Sequence, residues 1–126
     1  MVNNILVVED SSTMRALIVS TVEGVESAGG VDVTETSSGF EALKILPHKR
    51  FDLILTDINM PDINGLELVK FVKNSPEYTN IPLIIISTEG SDRDRQRGVE
   101  LGANEYVVKP FKPEHLQMLI LKYLKA

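Results

Sequence analysis

Glu9, Asp10, Asp57, Ser87, Thr88 and Lys109 each sit just beyond a short apolar run, and together they could move a phosphoryl group. Ile5 to Val8 runs into Glu9-Asp10, and Leu53 to Leu55 leads to Asp57. Leu83 to Ile86 ends on Ser87-Thr88, and Tyr106 to Val108 ends on Lys109. A carboxylate at the end of a buried strand is costly unless something pairs with it. If the strands are parallel neighbours, three carboxylates crowd one rim, and like charges that close need a cation to remain ionised. Three carboxylates and one ammonium leave two negative charges, which one divalent cation would balance. Hard oxygen ligands with room for water suit magnesium rather than zinc or copper. Lys109 offers a compact positive charge and Ser87 a hydroxyl donor. Such a set fits phosphoryl transfer, where catalysis is mostly positioning and charge neutralisation. An ionised Asp57 can itself be the nucleophile, giving an aspartyl-phosphate.

The elements that must position these groups alternate from end to end. Ile5-Leu6-Val7-Val8 is a continuous apolar run, as expected of a parallel strand covered on both faces. Ser11 or Ser12 can cap a following helix in which Met14, Leu17, Ile18 and Val22 recur at helical spacing, and Gly29-Gly30 is expected to end it. Val31 and Val33 alternate with Asp32 and Thr34, which predicts a half-exposed strand near an edge. Ser38 and Glu41 form a capping box for a helix carrying Phe40, Leu43 and Leu46, stopped by Pro47. Pro61 and Asn64-Gly65 mark a turn after Asp57, and Leu66, Leu68, Val69 and Val72 give the next helix its apolar face. A polar connection from Asn74 to Asn80 precedes the strand over Leu83–Ile86. Ser91 to Leu101 reads as a helix whose core contacts are Val99 and Leu101. Pro113 opens a final helix to Lys125, with Leu116, Leu119, Ile120 and Tyr123 on one side. Five such βα units predict a three-layer α/β fold whose ligand site lies beyond the carboxyl ends of the strands.

The bulk numbers agree with one domain. The chain has 126 residues, is 43% hydrophobic and 25% charged, and carries a net charge of −5. A surface that acidic argues against direct nucleic-acid binding as the main task. There is no cysteine, which excludes disulfides and thiolate metal sites. The N-terminus has no signal-peptide pattern, and the longest aliphatic run is far too short for a membrane span. A soluble cytoplasmic protein with no membrane partner is expected.

As a set, in this order, the motifs resemble the receiver domains of two-component response regulators, most closely the single-domain CheY-type chemotaxis regulators. The matching residues are Val7-Val8-Glu9-Asp10, Ser12-Thr13-Met14-Arg15, Thr56-Asp57-Ile58-Asn59-Met60-Pro61, Ile86-Ser87 and Gly102-Ala103-Asn104-Glu105-Tyr106-Val107-Val108-Lys109-Pro110-Phe111. The resemblance covers essentially the whole chain, and implies one receiver domain over residues 1–126 with a five-stranded parallel sheet of order 2-1-3-4-5. By the same resemblance Asp57 is the phosphoacceptor, fed by a phosphohistidine on a sensor histidine kinase. Asp10 binds Mg2+ directly, Glu9 through water, and Asn59 through its backbone carbonyl. Ser87 and Lys109 hold the phosphoryl oxygens, Tyr106 is an aromatic switch that follows Ser87, and the Lys109-Pro110 bond is cis. Asn59, Thr88 and Glu89 occupy positions that tune phosphoryl lifetime. Glu9 departs from the commoner Asp-Asp pair, and Thr88 stands where the family usually has a small residue. Output passes through a protein contact on the last two helices and last strand. In chemotaxis relatives that partner is the flagellar motor switch, and a phosphatase is a further partner. The chemistry implied is self-phosphorylation and autodephosphorylation, not turnover of a substrate.

Plainer readings stand beside these. A strand-terminal Asp or Ser can simply cap a helix, Lys109 can be a surface lysine beside a turn proline, and Tyr106 can be ordinary packing. Arg93, Arg95 and Arg97 read as a solvated face, and His48 and His115 lack partner ligands. A stand-alone receiver could also serve as a phosphate sink or docking adaptor. A haloacid-dehalogenase-type phosphatase uses a similar set but needs a second Asp two residues after the nucleophile, where this chain has Asn59. A nucleotide or flavin module needs a Gly-rich phosphate loop after the first strand, where this chain has Glu9-Asp10.

Overall fold

The computed structural model describes residues 2–26, 29–60 and 62–124. Its order is β1 (Asn3–Val8), α1 (Ser12–Glu23), β2 (Val31–Thr36), α2 (Gly39–Ile45), β3 (Leu53–Thr56), α3 (Gly65–Asn74), β4 (Leu83–Ser87), α4 (Asp92–Glu100), β5 (Glu105–Val108) and α5 (Pro113–Tyr123). The strands are all parallel and lie in the order β2-β1-β3-β4-β5. Alternation along the strands divides the core in two. Ile5, Val7, Leu53, Leu55, Ile84 and Ile86 pack with Ile18 and Val22 of α1 and Leu116 and Ile120 of α5. Leu6, Val8, Ile54, Leu83 and Ile85 face the other way, onto Ala42 of α2 and Leu68, Val69 and Val72 of α3. A sheet covered on both faces explains why its central strands read as unbroken apolar runs. The edge strand β2 is only partly buried.

Several helix boundaries and faces differ from expectation. Helix α1 ends at Glu23 with Gly24 as its cap, so Gly29 and Gly30 lie in the loop before β2, both at positive φ. The inward face of α1 is Ile18, Thr21 and Val22, while Leu17 is 44% exposed. In α2 the expected core residue Phe40 is 59% exposed, and Gly39 and Ala42 are buried instead. The Ser38 hydroxyl does accept from Glu41 N, but the Glu41 carboxylate reaches back to Ser37 rather than to Ser38. Pro47 sits inside a single 3-10 turn over Leu46–His48, which follows the helix directly. The expected core residue Val99 of α4 is 57% exposed. The inward position belongs to Gly98, where a Cβ would come within 2.9 Å of Ile85 Cδ1 and 3.2 Å of Tyr106 Cδ2. The helix lies so close to β4 and β5 that no side chain fits between. Pro61 and Lys125, assigned to a turn and to the last helix, lie outside the described residues.

Two tight approaches fix the β3–α3 connection that carries Asp57. Gly65 N donates to Ile58 O at 2.8 Å, and a Cβ on Gly65 would lie 1.9 Å from Asp57 O and 2.7 Å from Ile58 Cα. The carboxylate of Asp62 then accepts from Gly39 N and Phe40 N, docking the loop onto the start of α2. Gly65→Ala must therefore displace main chain, and should cost about 3 kcal/mol or more in urea unfolding. Gly24→Ala, whose new Cβ would press on the flexible end of Gln117 at 2.7 Å and meet backbone oxygens only at 3.4 Å and beyond, should cost much less.

Candidate functional site

The carboxyl ends of β1, β3 and β5 bring three acids and one lysine together. One carboxylate oxygen each from Glu9, Asp10 and Asp57 lies within 4.8 Å of the others. Lys109 Nζ is 2.7 Å from Glu9 Oε1 and 3.5 Å from Asp57 Oδ2. Asp57 is buried and held from every side. Its N–H extends the sheet to Val8 O at 3.1 Å, its carbonyl accepts from Thr56 Oγ1 at 3.0 Å, and its Oδ1 accepts from Ile58 N at 2.7 Å. Locking Oδ1 into that short turn leaves Oδ2 facing the ammonium.

Glu9 is the most enclosed acid of the three, with 1% of its surface exposed. Its Oε2 accepts from Ser11 N, and its N–H donates to Thr36 O. Its carbonyl accepts from Arg15 Nη1 at 2.8 Å. Burial pushes the Glu9 carboxyl above its ordinary value; the Lys109 hydrogen bond opposes this, and the negative charge of Asp57 adds to it. Two buried carboxylates on one ammonium are under-neutralised, so the cluster favours a further positive charge. Asp10 is exposed at its mouth, giving hard oxygen ligands beside open solvent. That donor set suits a hard, partly hydrated cation such as magnesium.

The β4–α4 loop forms the opposite wall. Ser87 is buried, and its Oγ accepts from Glu89 N at 3.1 Å while its carbonyl accepts from Lys109 N at 2.8 Å. Asn59, exposed after β3, donates its amide to Glu89 Oε1 at 3.0 Å, spanning the rim. The Tyr106 hydroxyl donates to Glu89 O, and burial raises its phenol above the ordinary value. Thr88 is exposed on the same loop. The Lys109-Pro110 peptide is cis. The structure thus places Glu9, Asp10, Asp57 and Lys109 in one cluster, with Ser87, Thr88, Glu89, Asn59 and Tyr106 on the neighbouring loop and wall. Sequence reasoning assigned no role to Arg15 at the cluster or to Asp62 in docking the loop. Asp62 left no signal in the chain. Arg15 left one, since a cation near the start of a helix opposes the helix dipole.

With this geometry in view, comparison with known proteins is direct. The model of the response regulator receiver domain matches residues 5–121. A chemotaxis protein CheY homolog of Campylobacter jejuni is 41% identical over 114 residues, covering 90% of this chain and 85% of its own. Chemotaxis protein CheY1 of Helicobacter pylori is likewise 41% identical, covering 90% of each chain. The structure of the chemotaxis response regulator CheY4 of Vibrio cholerae superposes with a TM-score of 0.86 at 34% identity, over 98% of this chain and all of the other. Parallel order, acidic rim and sequence similarity agree, and the chain belongs to the response regulator receiver family as a CheY-like member acting in two-component signalling.

Proposed function

We propose that Asp57 is the phosphoacceptor of this receiver, that the whole of residues 1–126 acts as one receiver unit, and that the donor is a phosphohistidine on a sensor histidine kinase. The observation that carries this is the position of Lys109 Nζ between Glu9 and the open oxygen of Asp57. In the transfer an Asp57 oxygen forms a bond to phosphorus as the P–N bond breaks, and the electron pair of that bond returns to the histidine nitrogen. Glu9, Asp10 and Asp57, with the carbonyl of Asn59, are suited to hold Mg2+, which when bound offsets negative charge on the transferring group. Lys109 pairs with a phosphoryl oxygen, and the Ser87 hydroxyl leaves Glu89 N to reach another. Release of that bond frees the loop to which the Tyr106 hydroxyl is tied. The result biases an inactive–active equilibrium of the α4–β5–α5 face.

The partner on that face is a protein, and the chemotaxis relatives favour a flagellar motor switch component, with a phosphatase as a further partner. Asn59, Thr88 and Glu89, exposed at the rim, set the access of water and so the phosphoryl lifetime. Asn59 also weighs against a haloacid-dehalogenase-type phosphatase, because its amide donates to Glu89 and cannot act as the second acid.

Incubation with acetyl phosphate and magnesium should add one phosphoryl mass to the intact protein, and Asp57→Asn should remove the adduct entirely. An adduct persisting in the variant would place the acceptor elsewhere. Magnesium affinity should also depend on pH. A cation binds the ionised Glu9 carboxylate, so a proton held above the ordinary value of 4.5 competes with it. Calorimetric affinity should fall as pH drops through that raised value and recover above it. The sign for folding is opposite: without a cation, the stability contribution of Glu9 is full below 4.5 and is lost as pH rises through the raised value. Glu9→Gln should flatten both dependences.

A further inference from the structure

Val8 is the last residue of β1 in register, with Thr36 in β2 and Thr56 in β3, and one further sheet bond, Glu9 N to Thr36 O at 3.1 Å, is the last to hold the chain. The acids that matter come immediately afterwards. Glu9 is anchored by its own side chain on Lys109 and Ser11. Asp10 is not: among the described residues no hydrogen bond or ion pair holds its carboxylate, which is exposed. The direction in which Asp10 points therefore depends on the two peptides that flank it. The Asp10–Ser11 peptide is held through Ser11 N on Glu9 Oε2, and the Glu9–Asp10 peptide through its carbonyl oxygen, which accepts from Arg15 Nη1 at 2.8 Å.

Arg15 is itself oriented. Its Nε lies 3.4 Å from Glu35 Oε1, a carboxylate delivered from the end of β2. The planar guanidinium thus spans two elements, with one edge on the Glu9 carbonyl and the other on Glu35, a geometry that an ammonium cannot reproduce. Its place in the helix is electrostatically unfavourable. Arg15 is the fourth residue of α1, near the positive end of the helix dipole, and the first turn of α1 contains no acidic residue to offset it. It is also only partly exposed, with 21% of its side chain accessible. A half-buried cation placed against the helix dipole, with one hydrogen bond and one ion pair to separate elements, is suited to holding the chain still.

We infer that Arg15 is a positioning residue for the cation-binding carboxylates: it fixes the Glu9–Asp10 peptide through the Glu9 carbonyl, and Glu35 orients it from β2. The inference rests on the receiver reading of the cluster and extends it to two residues outside the ion's own contacts. Groups that orient metal ligands typically change affinity by about ten- to a hundredfold when removed. Arg15 affects Asp10 through one peptide, so the lower end of that range applies.

The test is magnesium calorimetry without any phosphodonor, on wild type, Arg15→Ala, Arg15→Lys and Glu35→Gln, with thermal melts of each. Arg15→Ala should weaken magnesium binding about tenfold. Arg15→Lys should fall between it and wild type, and Glu35→Gln should weaken binding by a smaller factor. The phosphorylation rate of Arg15→Ala with acetyl phosphate should need more magnesium but return to near the wild-type value at saturation. A purely structural role would instead lower the melting temperature without moving the magnesium dependence. If Arg15→Ala and Glu35→Gln both bind magnesium as tightly as wild type, while Asp57 still takes the phosphoryl group, the inference fails and the receiver reading stands. If wild type itself binds no magnesium, both fail together.

Discussion

Two carboxylates enclosed within a protein cannot both stay charged without a cation, and among the described residues Lys109 is the one that pairs with both. Its ammonium is shared unequally, closer to Glu9 than to Asp57. The longer arm of a glutamate brings that contact within ordinary hydrogen-bond distance. The Asp57 carboxylate keeps the longer contact with the lysine, at 3.5 Å against 2.7 Å for Glu9. The rest of the molecule can be understood as the scaffold that keeps this unequal triangle in place.

That scaffold works by closing loops onto main chain rather than by large side-chain contacts. The Asp57 loop is trapped between Gly65, where only a glycine fits against the Asp57 carbonyl, and Asp62, whose carboxylate binds the first N–H groups of α2. On the other side of the sheet edge, the backbone of Lys109 is tied to the carbonyl of Ser87. At the opposite pole, the Lys73 ammonium gathers Thr79 O, Ile81 O and the side chain of Asn104, which in turn accepts from Leu83 N at the start of β4. Burial lowers the pKa of Lys73, as expected for an ammonium solvated by carbonyls instead of water.

Much of this was legible in the chain. Strands buried on both faces write unbroken apolar runs, so β1, β3 and β4 were readable, and with them the polar residues at their ends. Helix faces were less so. Leu17, Phe40 and Val99 fit an apolar period yet point outward, because the inward places went to Thr21, Ala42 and Gly98. Small and polar residues carry no weight in a hydrophobic pattern, although a close helix–sheet approach requires them. The gathering of Glu9, Asp10, Asp57 and Lys109 followed from residue type and strand position, whereas the contacts of Arg15 and Asp62 depend on loops folding back over the sheet. Spacing along the chain does not encode that return.

Gly98 has one further consequence. At Gly98 no side chain stands between the Tyr106 ring and the backbone of α4, so the two pack without an intervening rotamer. The contact between strand and helix is therefore direct: at Gly98 the ring rests against helical main chain with no α4 side chain in between. A side chain at this position would have to lever α4 away from β4 and β5, because its first carbon already overlaps Ile85 and the Tyr106 ring.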